Sequence, residues 1–424
     1  EKYDIVIVGG GFAGLTLAYH LPKHYKILIL ERKNKPDAAV ESTGLITEVT
    51  RDLFSKFIDI DRYIPNRIDT ISVVSPDYDK YFFSETSNPW VFSTDTPNLL
   101  KGMSELLGNN SNIVFSSIYT GYERTRDNKY TLDVGYRNNG DKLKVRTRFL
   151  VGADGGKSVV AASNPKLSQT KRFLAGVEKV FYGSIDFGKK PDSTVYHFWF
   201  GEFSLGYGGW LSPTIVSNKP AFRVGLAKLE KDVKDLKKLD DFVKKLESKK
   251  MISIKKDIPE LKFGNLIPIS GPLKNVYDGD MLLVGDAAGF CGAFAADGIK
   301  GALVSAKVAA KLIPEYLKGE RQIFSNYKLQ IEKFNKLISY YKKQRLYRFI
   351  WDQMKKNRTF MAMYDVIASQ KEVFLDQFCD NQFRNGKKTK KSLIKIVLNF
   401  NNLPRLFKYA LFILYDMVFV WRKK

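Results

Sequence analysis

Three glycines, Gly9, Gly11 and Gly14, separate an apolar run from a helix-like segment near the start of the chain. Residues 3–8 predict a buried strand, and residues 15–21 have helical composition. In this order the first glycine permits a tight turn and the second lets a pyrophosphate approach the backbone. The third lets the helix pack closely on the strand. The pattern therefore predicts a dinucleotide-binding βαβ unit.

The second strand of this unit is predicted over residues 26–30 and ends at Glu31, 17 residues after Gly14. A carboxylate at this position can accept a hydrogen bond from a ribose 2′-hydroxyl, and it disfavours a 2′-phosphate. NAD and FAD therefore fit this unit, and NADP does not.

Two further glycine-rich turns follow predicted strands, at residues 152–156 and at Gly285-Asp286. After the second turn a helix is predicted to open near Gly298, so its free backbone N–H groups would face an anionic ligand. Asp286 is placed to reach a ribityl or ribose hydroxyl. NAD needs only one such turn, whereas an extended FAD uses several, so the cofactor predicted is FAD.

These motifs resemble the flavoprotein superfamily of aromatic hydroxylases, flavin-dependent halogenases and geranylgeranyl reductases, over roughly residues 1–312. Residues 264–290 are similar to the geranylgeranyl reductases of archaeal lipid synthesis. Residues 205–213 resemble the aromatic-glycine segment that lines the prenyl site in that family, with Trp210 and Pro213 matching and Ser212 in place of Phe. Ser42 stands where the family often has Cys, Asn98 where it has Arg, and residues 292–294 replace an Asn-Pro pair.

The resemblance implies an FAD-dependent oxidoreductase that reduces double bonds in the isoprenoid (geranylgeranyl) chains of membrane ether lipids or their precursors. The substrate would be an isoprenoid lipid, and NAD(P)H, ferredoxin or a similar donor would supply electrons. The fold expected is α/β, with a glutathione-reductase-like Rossmann domain that binds FAD (residues 1–75, 97–165 and 275–315). An antiparallel β-sheet substrate domain (76–96 and 166–274) and a basic helical region (316–424) complete it.

The motifs and the resemblance together give three sets of candidate site residues. The candidate catalytic residues are Lys300, Ser42 and Cys291. The candidate cofactor-binding residues are Gly9, Gly11, Phe12, Ala13, Gly14, Glu31, Arg32, Ser42, Thr43, Gly44, Tyr119, Ala153, Asp154, Gly155, Gly285, Asp286, Gly298 and Ile299. The candidate substrate-binding residues are Tyr196, Phe198, Tyr207, Trp210, Pro213 and Phe294.

Several of these residues also have an ordinary structural interpretation. Lys300 either supports negative charge on the reduced cofactor or is solvated, and Cys291 is either reactive or a small buried thiol. Tyr196 and Phe198 share one face of a predicted strand, residues 194–200, and His197 lies on the other. One face would border the ligand cavity, although aromatic rows in strands commonly belong to the core. His197 is a candidate proton donor, against the alternative of a hydrogen-bonded or exposed side chain.

The positive charge is concentrated at the end of the chain. Of a net charge of +24, residues 321–424 contribute +16, from 23 Lys and Arg against 7 Asp and Glu. A basic tail can bind nucleic acid, but this one ends in an apolar run, residues 406–421, which favours an anionic membrane surface. Sixteen helical residues span about 24 Å, less than the bilayer core of about 30 Å. We therefore expect peripheral membrane association and no nucleic-acid partner. The alternatives are an ordinary buried or dimer-forming helix and a solvated basic face without lipid contact.

The chain has two cysteines and three histidines, with no metal-ligand spacing and no disulfide framework. No signal-peptide pattern precedes the first strand, so a cytoplasmic protein is expected. Two rival functions stay open. One is an FAD-dependent monooxygenase of a small aromatic or apolar substrate, and the other is a membrane-bound flavoprotein that relays electrons.

Overall fold

The computed structural model describes residues 2–38, 42–125, 129–136, 140–188, 194–229, 237–371 and 394–420. The strands are β1 (Lys2–Val8), β2 (Ile27–Leu30), β3 (Leu45–Thr47), β4 (Asn66–Ile68), β5 (Thr70–Val74), β6 (Tyr81–Glu85), β7 (Val91–Ser93), β8 (Ser111–Val114), β9 (Ser117–Arg124), β10 (Tyr130–Tyr136), β11 (Lys142–Gly152), β12 (Phe173–Ile185), β13 (Val195–Trp199), β14 (Gly208–Val216), β15 (Lys219–Leu229), β16 (Ile252–Asp257), β17 (Phe263–Pro268), β18 (Tyr277–Asp278) and β19 (Met281–Leu283). The helices are α1 (Phe12–His20), α2 (Glu48–Phe54), α3 (Thr96–Glu105), α4 (Val159–Ser163), α5 (Lys237–Ser248), α6 (Gly298–Lys318), α7 (Tyr327–Asn335), α8 (Leu337–Gln353), α9 (Asn357–Ala368) and α10 (Leu403–Tyr415).

The first sheet has β1 at its centre, between β11 and β2, and all three strands are parallel. The βαβ prediction is confirmed, and α1 begins at Phe12, directly after the glycine turn. β19 and β8 extend the parallel sheet on either side. The glycine turns after β1, β11 and β19 therefore lie at the same edge, because parallel strands end on one side of a sheet.

Residues 112–116, 130–136 and 142–148 have the composition of strands joined by polar turns, which predicts a small β-meander, and the structure differs from this prediction in one strand. Residues 112–116 were expected in the meander, but β8 pairs with β2 in the parallel sheet. The meander consists of β9, β10 and the first half of β11. β11 takes part in both arrangements because the burial of its eleven residues changes from alternating to continuous. A half-exposed antiparallel strand and a buried parallel strand differ in just this pattern.

The second sheet is antiparallel apart from one pair, β5 beside β13. The cofactor-binding domain was expected to include residues 1–75. Residues 70–74, however, form β5 and pair with β13 in the second sheet. α5 covers the sheet with the buried side chains of Leu239, Phe242 and Leu246. The Lys- and Glu-rich composition of residues 229–249 predicts a helix there, and the described part of this helix is α5, Lys237–Ser248. Residues 230–236 lie outside the described part of the chain.

The sequence predicts a helical region from about Pro314 onward, broken at residues 385–386 and at Pro404, and the described residues of this region are mostly helical. α6 runs through Pro314 to Lys318, so the new helical region begins with α7 and not at Pro314. Pro404 lies in the first turn of α10, where a missing N–H leaves no bond unmade. The expected break at residues 385–386 lies outside the described residues. No described helix is long and apolar enough to cross a membrane.

Candidate functional site

A cavity of about 1060 Å³ begins at the glycine turn after β1 and ends among the C-terminal helices. This volume reaches the upper end of the range for pockets that hold one drug-sized ligand. Its first part is lined by Gly11 and Glu31, its middle by Asp286 and Trp210, and its far part by Tyr409. The edge of the parallel sheet and one face of the second sheet thus share a single space.

The glycines of the turn after β1 have two different structural roles. Gly9 has a φ of +107°, and a Cβ at Gly9 or Gly14 would collide with a backbone carbonyl, of Ala153 or of Gly9 itself. A Cβ at Gly11 would meet no atom within 4 Å, although Gly11 lines the cavity. Gly9 and Gly14 therefore allow close packing of the protein, whereas Gly11 leaves space for a ligand.

The end of β2 carries the acidic group that the sequence predicts. Glu31 is buried, and its Oε2 accepts from the backbone N–H of Gly10 at 2.6 Å. Its Oε1 accepts from the N–H of Lys33 at 2.8 Å. Two backbone donors fix the carboxylate at the cavity wall, and its remaining lone pairs can accept from ribose hydroxyls.

Two helices direct their N-termini at the cavity. Neither α1, preceded by Gly11, nor α6, preceded by Asp297, has a side chain that caps its first turn. Gly11 and Gly298 both line the cavity. The free N–H groups of such helix starts are ready-made partners for an anion. A pyrophosphate and a second anionic group fit these two positions.

Two half-buried aspartates, Asp154 and Asp286, lie in the other two glycine turns. Asp154 Oδ2 accepts from the N–H of Val159 at 2.7 Å, while its Oδ1 is buried without a hydrogen-bond partner among the described residues. Burial, with a smaller contribution from Asp297, raises the pKa of Asp286 to about 7. Both line the cavity. Hydroxyl groups can complete the hydrogen bonding of such carboxyl groups, and the ribityl and ribose groups of a dinucleotide offer such hydroxyls.

Most of the predicted cofactor-binding residues line this cavity, and three lie behind its wall. Those that line it are Gly9, Gly11, Phe12, Ala13, Glu31, Arg32, Ser42, Thr43, Tyr119, Ala153, Asp154, Gly155, Asp286, Gly298 and Ile299. Gly14, Gly44 and Gly285 support the wall. The Gly285 N–H donates to Ser305 Oγ at 2.9 Å, and Thr94 Oγ1 donates to the Gly44 carbonyl at 2.8 Å.

Lys300 and Asp297 form a buried ion pair at the start of α6. Lys300 Nζ lies 2.9 Å from Asp297 Oδ2 and 3.6 Å from the centre of the Tyr340 ring. Tyr340 Oη also donates to Asp297 Oδ2, and Tyr341 Oη donates to the Asp297 carbonyl. Lys300 lines the cavity but is not solvated, and its charge is matched inside the protein by Asp297.

α8 holds the loop 291–297 through two buried polar side chains. Gln344 Oε1 accepts from the N–H groups of Phe294 and Ala295, at 3.0 and 2.8 Å. One turn later, Arg348 Nε donates to the carbonyl of Ala293 at 2.7 Å. Sequence reasoning missed these residues. The only signal was a polar stripe at four-residue spacing, Tyr340, Gln344 and Arg348, in a segment interpreted as a basic tail.

The loop that carries Ser42 is held by the second sheet. Arg223 of β15 donates to the carbonyls of Thr43 and of Thr94, the latter at 3.1 Å. Glu178 lies 3.7 Å from Arg223 and accepts from Trp210 Nε1 at 2.7 Å. Burial raises the pKa of Glu178, and the neighbouring Arg223 opposes that shift. Ser42 Oγ accepts from the Gly44 N–H at 3.2 Å, so Ser42 has a turn-forming role besides lining the cavity.

Aromatic side chains form the wall on the side of the second sheet. Of the six predicted substrate-binding residues, Tyr196, Phe198, Tyr207, Trp210 and Phe294 line the cavity. Pro213 does not, because it lies further along β14, where it pairs with Phe222. Burial raises the pKa of Tyr207 to about 12, so its phenol stays protonated, and it donates to the Ala295 carbonyl at 3.3 Å.

His197 lies on the opposite face of β13, among Phe187 and other aromatic rings. It is fully buried, and neither ring nitrogen has a hydrogen-bond partner within the described residues. Burial lowers its pKa to about 3. The alternative of an exposed histidine is therefore wrong, and the described residues offer the ring no hydrogen bond. The ring does not line the cavity, which disfavours it as a proton donor.

Cys291 lies at the start of the loop that α8 holds. It lines the cavity, is buried and has no disulfide partner among the described residues. Burial, followed by the charges of Asp286 and Asp297, raises its pKa well above the ordinary value for a thiol. A protonated thiol is a poor nucleophile, so this environment favours packing over reactivity.

Comparison with known proteins adds the family. A family model described as an FAD binding domain matches residues 83–328, more than half of the chain, and a model described as FAD dependent oxidoreductase matches residues 4–72. Digeranylgeranylglycerophospholipid reductase 3 of Methanosphaera stadtmanae is 24% identical, over 96% of this chain and 98% of that protein. The cradle built by Gly11, Glu31 and Asp286 fits the cofactor in these names, FAD.

Two solved structures share the fold. A geranylgeranyl bacteriochlorophyll reductase-like protein from Thermoplasma acidophilum has a TM-score of 0.74 at 17% identity, with 93% of this chain and 99% of that chain covered. A probable FAD-dependent monooxygenase from Pseudomonas aeruginosa, PqsL, has a TM-score of 0.61 at 15% identity, covering 86% and 100%. At these identities the likeness concerns the fold and leaves the substrate open.

Proposed function

Since the chain belongs to the FAD-binding-domain family, we propose that it reduces carbon–carbon double bonds in the geranylgeranyl chains of membrane ether lipids or their precursors. The observation that carries the proposal is the single cavity that joins the dinucleotide cradle to an apolar compartment. The similarity to a digeranylgeranylglycerophospholipid reductase over nearly the whole chain supports it.

The apolar compartment suits an extended hydrocarbon. Its walls include Phe198 and Phe200 from the second sheet, and Trp351, Met354 and Met363 from the helices. Such side chains exclude water and offer an isoprenoid chain no hydrogen bonds, so the chain is selected by shape and by burial of apolar surface. A small polar substrate would leave most of this wall in contact with water.

Bound FAD, once reduced, supplies the hydride for the double bond. The chain's own residues orient the partners. The N-terminus of α6 is the group we propose to face negative charge on the cofactor, and a helix start contributes about 0.3–2 kcal/mol to an adjacent anion. Lys300 supports this helix start through Asp297. Tyr207 Oη holds a proton at the wall between the second sheet and the loop 291–297.

We propose a glutathione-reductase-like cofactor domain, a substrate domain built on the second sheet, and a basic helical region that associates with an anionic membrane. An electron donor such as NAD(P)H or ferredoxin would reduce the cofactor. The cytoplasmic, peripheral location follows from the lipid substrate and from the net charge of +16 in residues 321–424.

A monooxygenase is the second candidate, because PqsL shares the fold. Anaerobic mixing of the reduced holoenzyme with a geranylgeranyl ether lipid separates the alternatives. A reductase recovers the absorbance of oxidised flavin without oxygen, whereas a monooxygenase recovers it only when oxygen is admitted. A relay protein would pass its electrons to an acceptor dye and leave the lipid unchanged. Failure of the lipid to reoxidise the flavin would refute the proposal.

A further inference from the structure

α10 is apolar on two opposite faces. One face carries Leu406, Tyr409 and Ile413. Leu406 and Tyr409 line the cavity, and Ile413 packs against a hydrophobic cluster that includes side chains of α9. The other face carries a stripe of apolar side chains, spaced about one helical turn apart. No described residue covers this stripe. The stripe consists of Leu403, Phe407, Leu411 and Leu414, together with Val418 in the helical turn that follows α10, and each is between 45% and 72% exposed. A helix that is apolar all round normally has both faces covered.

Two other segments of the C-terminal region also expose apolar side chains. Residues 394–398 are helical and expose Ile394, Val397 and Leu398, and α8 exposes Leu346, Phe349 and Ile350. We call the whole set the apolar rim: Leu346, Phe349, Ile350, Ile394, Val397, Leu398, Phe400, Leu403, Phe407, Leu411, Leu414 and Val418. Exposed apolar surface of this extent marks a site of contact with a protein or a membrane.

Two residues of the apolar rim lie at an opening of the cavity. Ile350 of α8 and Val397 both line the cavity and are exposed, by 41% and 57%. Beside them, Trp351 and Leu406 line the cavity while facing the interior. The far end of the space that begins at the cofactor cradle therefore reaches the surface between α8 and residues 394–397, through an apolar mouth.

The charges around the apolar rim indicate what covers it. Residues 394–420 expose Lys395, Arg405 and Lys408, and their single acidic residue, Asp416, is buried. Asp416 Oδ2 accepts from the N–H of Lys355 at 2.8 Å, so its charge is used inside the protein. Basic groups beside exposed apolar side chains complement anionic lipid. Two copies of this surface would instead bring like charges together.

We propose that the apolar rim docks on an anionic bilayer and that a lipid chain enters the cavity from the bilayer, between α8 and residues 394–397. The route rests on the proposed function, since it requires a lipid substrate. α10 is about 20 Å long, too short to span a hydrocarbon core of about 30 Å. It lies in the interface, and the chain passes from bilayer to cavity without crossing water, while the headgroup stays beside the basic residues.

The docking is tested with a bimane label on the holoenzyme, in a Cys379→Ser background so that the introduced cysteine is labelled. Phe407→Cys and Phe349→Cys probe the apolar rim, and Ile215→Cys, which is 43% exposed on β14 and does not line the cavity, is the matched control. Vesicles of phosphatidylcholine and phosphatidylserine should shift the emission of both rim labels to shorter wavelength and leave the control unchanged. Equal responses at all three positions, or none, overturn the proposal. So does a rim shift that depends on protein concentration without vesicles, because a second copy would then cover the face.

The entry route is tested with the double variant Phe407→Glu/Leu411→Glu, whose residues do not line the cavity. It should bind the same vesicles about tenfold more weakly or worse, because two apolar side chains no longer enter the interface. Reduction of a geranylgeranyl lipid should fall in vesicles and be retained in detergent micelles, with Ile215→Glu unchanged in both. Unaltered reduction in vesicles would overturn the route. If the unaltered protein reduces no lipid in either medium, the proposed function fails, while the bimane result still decides the docking.

Discussion

Gly11 and Gly14 belong to one turn, but the structure gives them different tasks that substitution by alanine can separate. A Cβ at Gly11 projects into open space that the cavity occupies, and Gly11 has an extended φ of −85° that alanine can adopt. A Cβ at Gly14 collides with the carbonyl of Gly9. Gly11→Ala should therefore impair cofactor binding, and Gly14→Ala should impair the fold.

The size of each effect follows from packing. A methyl group forced into a filled space costs about 1–3 kcal/mol, which corresponds to a Kd for FAD about 5- to 150-fold higher in Gly11→Ala. The apoprotein of this variant loses about 1 kcal/mol at most, from the changed residue before α1. In Gly14→Ala the same 1–3 kcal/mol or more is lost from the free energy of unfolding of the apoprotein, because backbone meets backbone.

The assay has two readouts, both on apoprotein. Titration with FAD, followed by quenching of flavin fluorescence, gives the Kd, and urea unfolding gives the stability. Wild-type FAD affinity in Gly11→Ala would refute the assignment of this space to the cofactor. Wild-type stability in Gly14→Ala would refute the packing argument.

Three further substitutions follow from the buried polar groups. Gln344→Leu removes the side-chain oxygen that accepts from the N–H groups of Phe294 and Ala295. Each N–H left without an acceptor costs about 1–3 kcal/mol, so the melting temperature and the FAD affinity should both fall. Gln322→Leu, at an exposed position, is the control and should change neither. Because the pKa of Asp286 is raised to about 7, the stability of the apoprotein should fall as the pH rises from about 4 to about 7, by about 4 kcal/mol at most. Asp286→Asn should remove this pH dependence in urea titrations. A pH dependence that persists in the variant would refute the assignment to Asp286. The pKa of His197 is lowered to about 3, so the unfolded chain binds a proton before the folded chain does, and stability should fall as the pH drops below about 6.5. His197→Phe should unfold in more concentrated urea at neutral pH and lose less stability in acid. A variant that is less stable than the unaltered protein would refute this prediction.

The local part of the fold could be predicted because its causes are local. The turn at Gly9 and the carboxylate at Glu31 are fixed by a few neighbouring residues whose stereochemistry admits few alternatives. The same holds for the alternation in β13, which correctly separates Tyr196 from His197. The sequence left open which face of that strand meets the cavity, because this depends on the strands beside it.

The rest of the site depends on contacts between distant segments. Nothing near Lys300 in the chain indicates that Tyr340 would cover its ammonium group, or that Gln344 would hold the loop 291–297. The wrong membership of β8 in the meander has the same origin, because an apolar run pairs equally well in either arrangement until its neighbours are known. The basic helical region was interpreted as a membrane segment, an ordinary packed helix or a solvated face, and none of these interpretations indicates that α8 builds part of the cavity wall.

The reduction of isoprenoid chains is tested most directly by mass spectrometry of a geranylgeranyl ether lipid after anaerobic incubation with chemically reduced holoenzyme. The lipid should gain two hydrogen atoms for each double bond reduced, and oxidised holoenzyme should leave it unchanged. A lipid of unaltered mass, together with rapid oxygen uptake once air is admitted, would contradict the account and favour a monooxygenase.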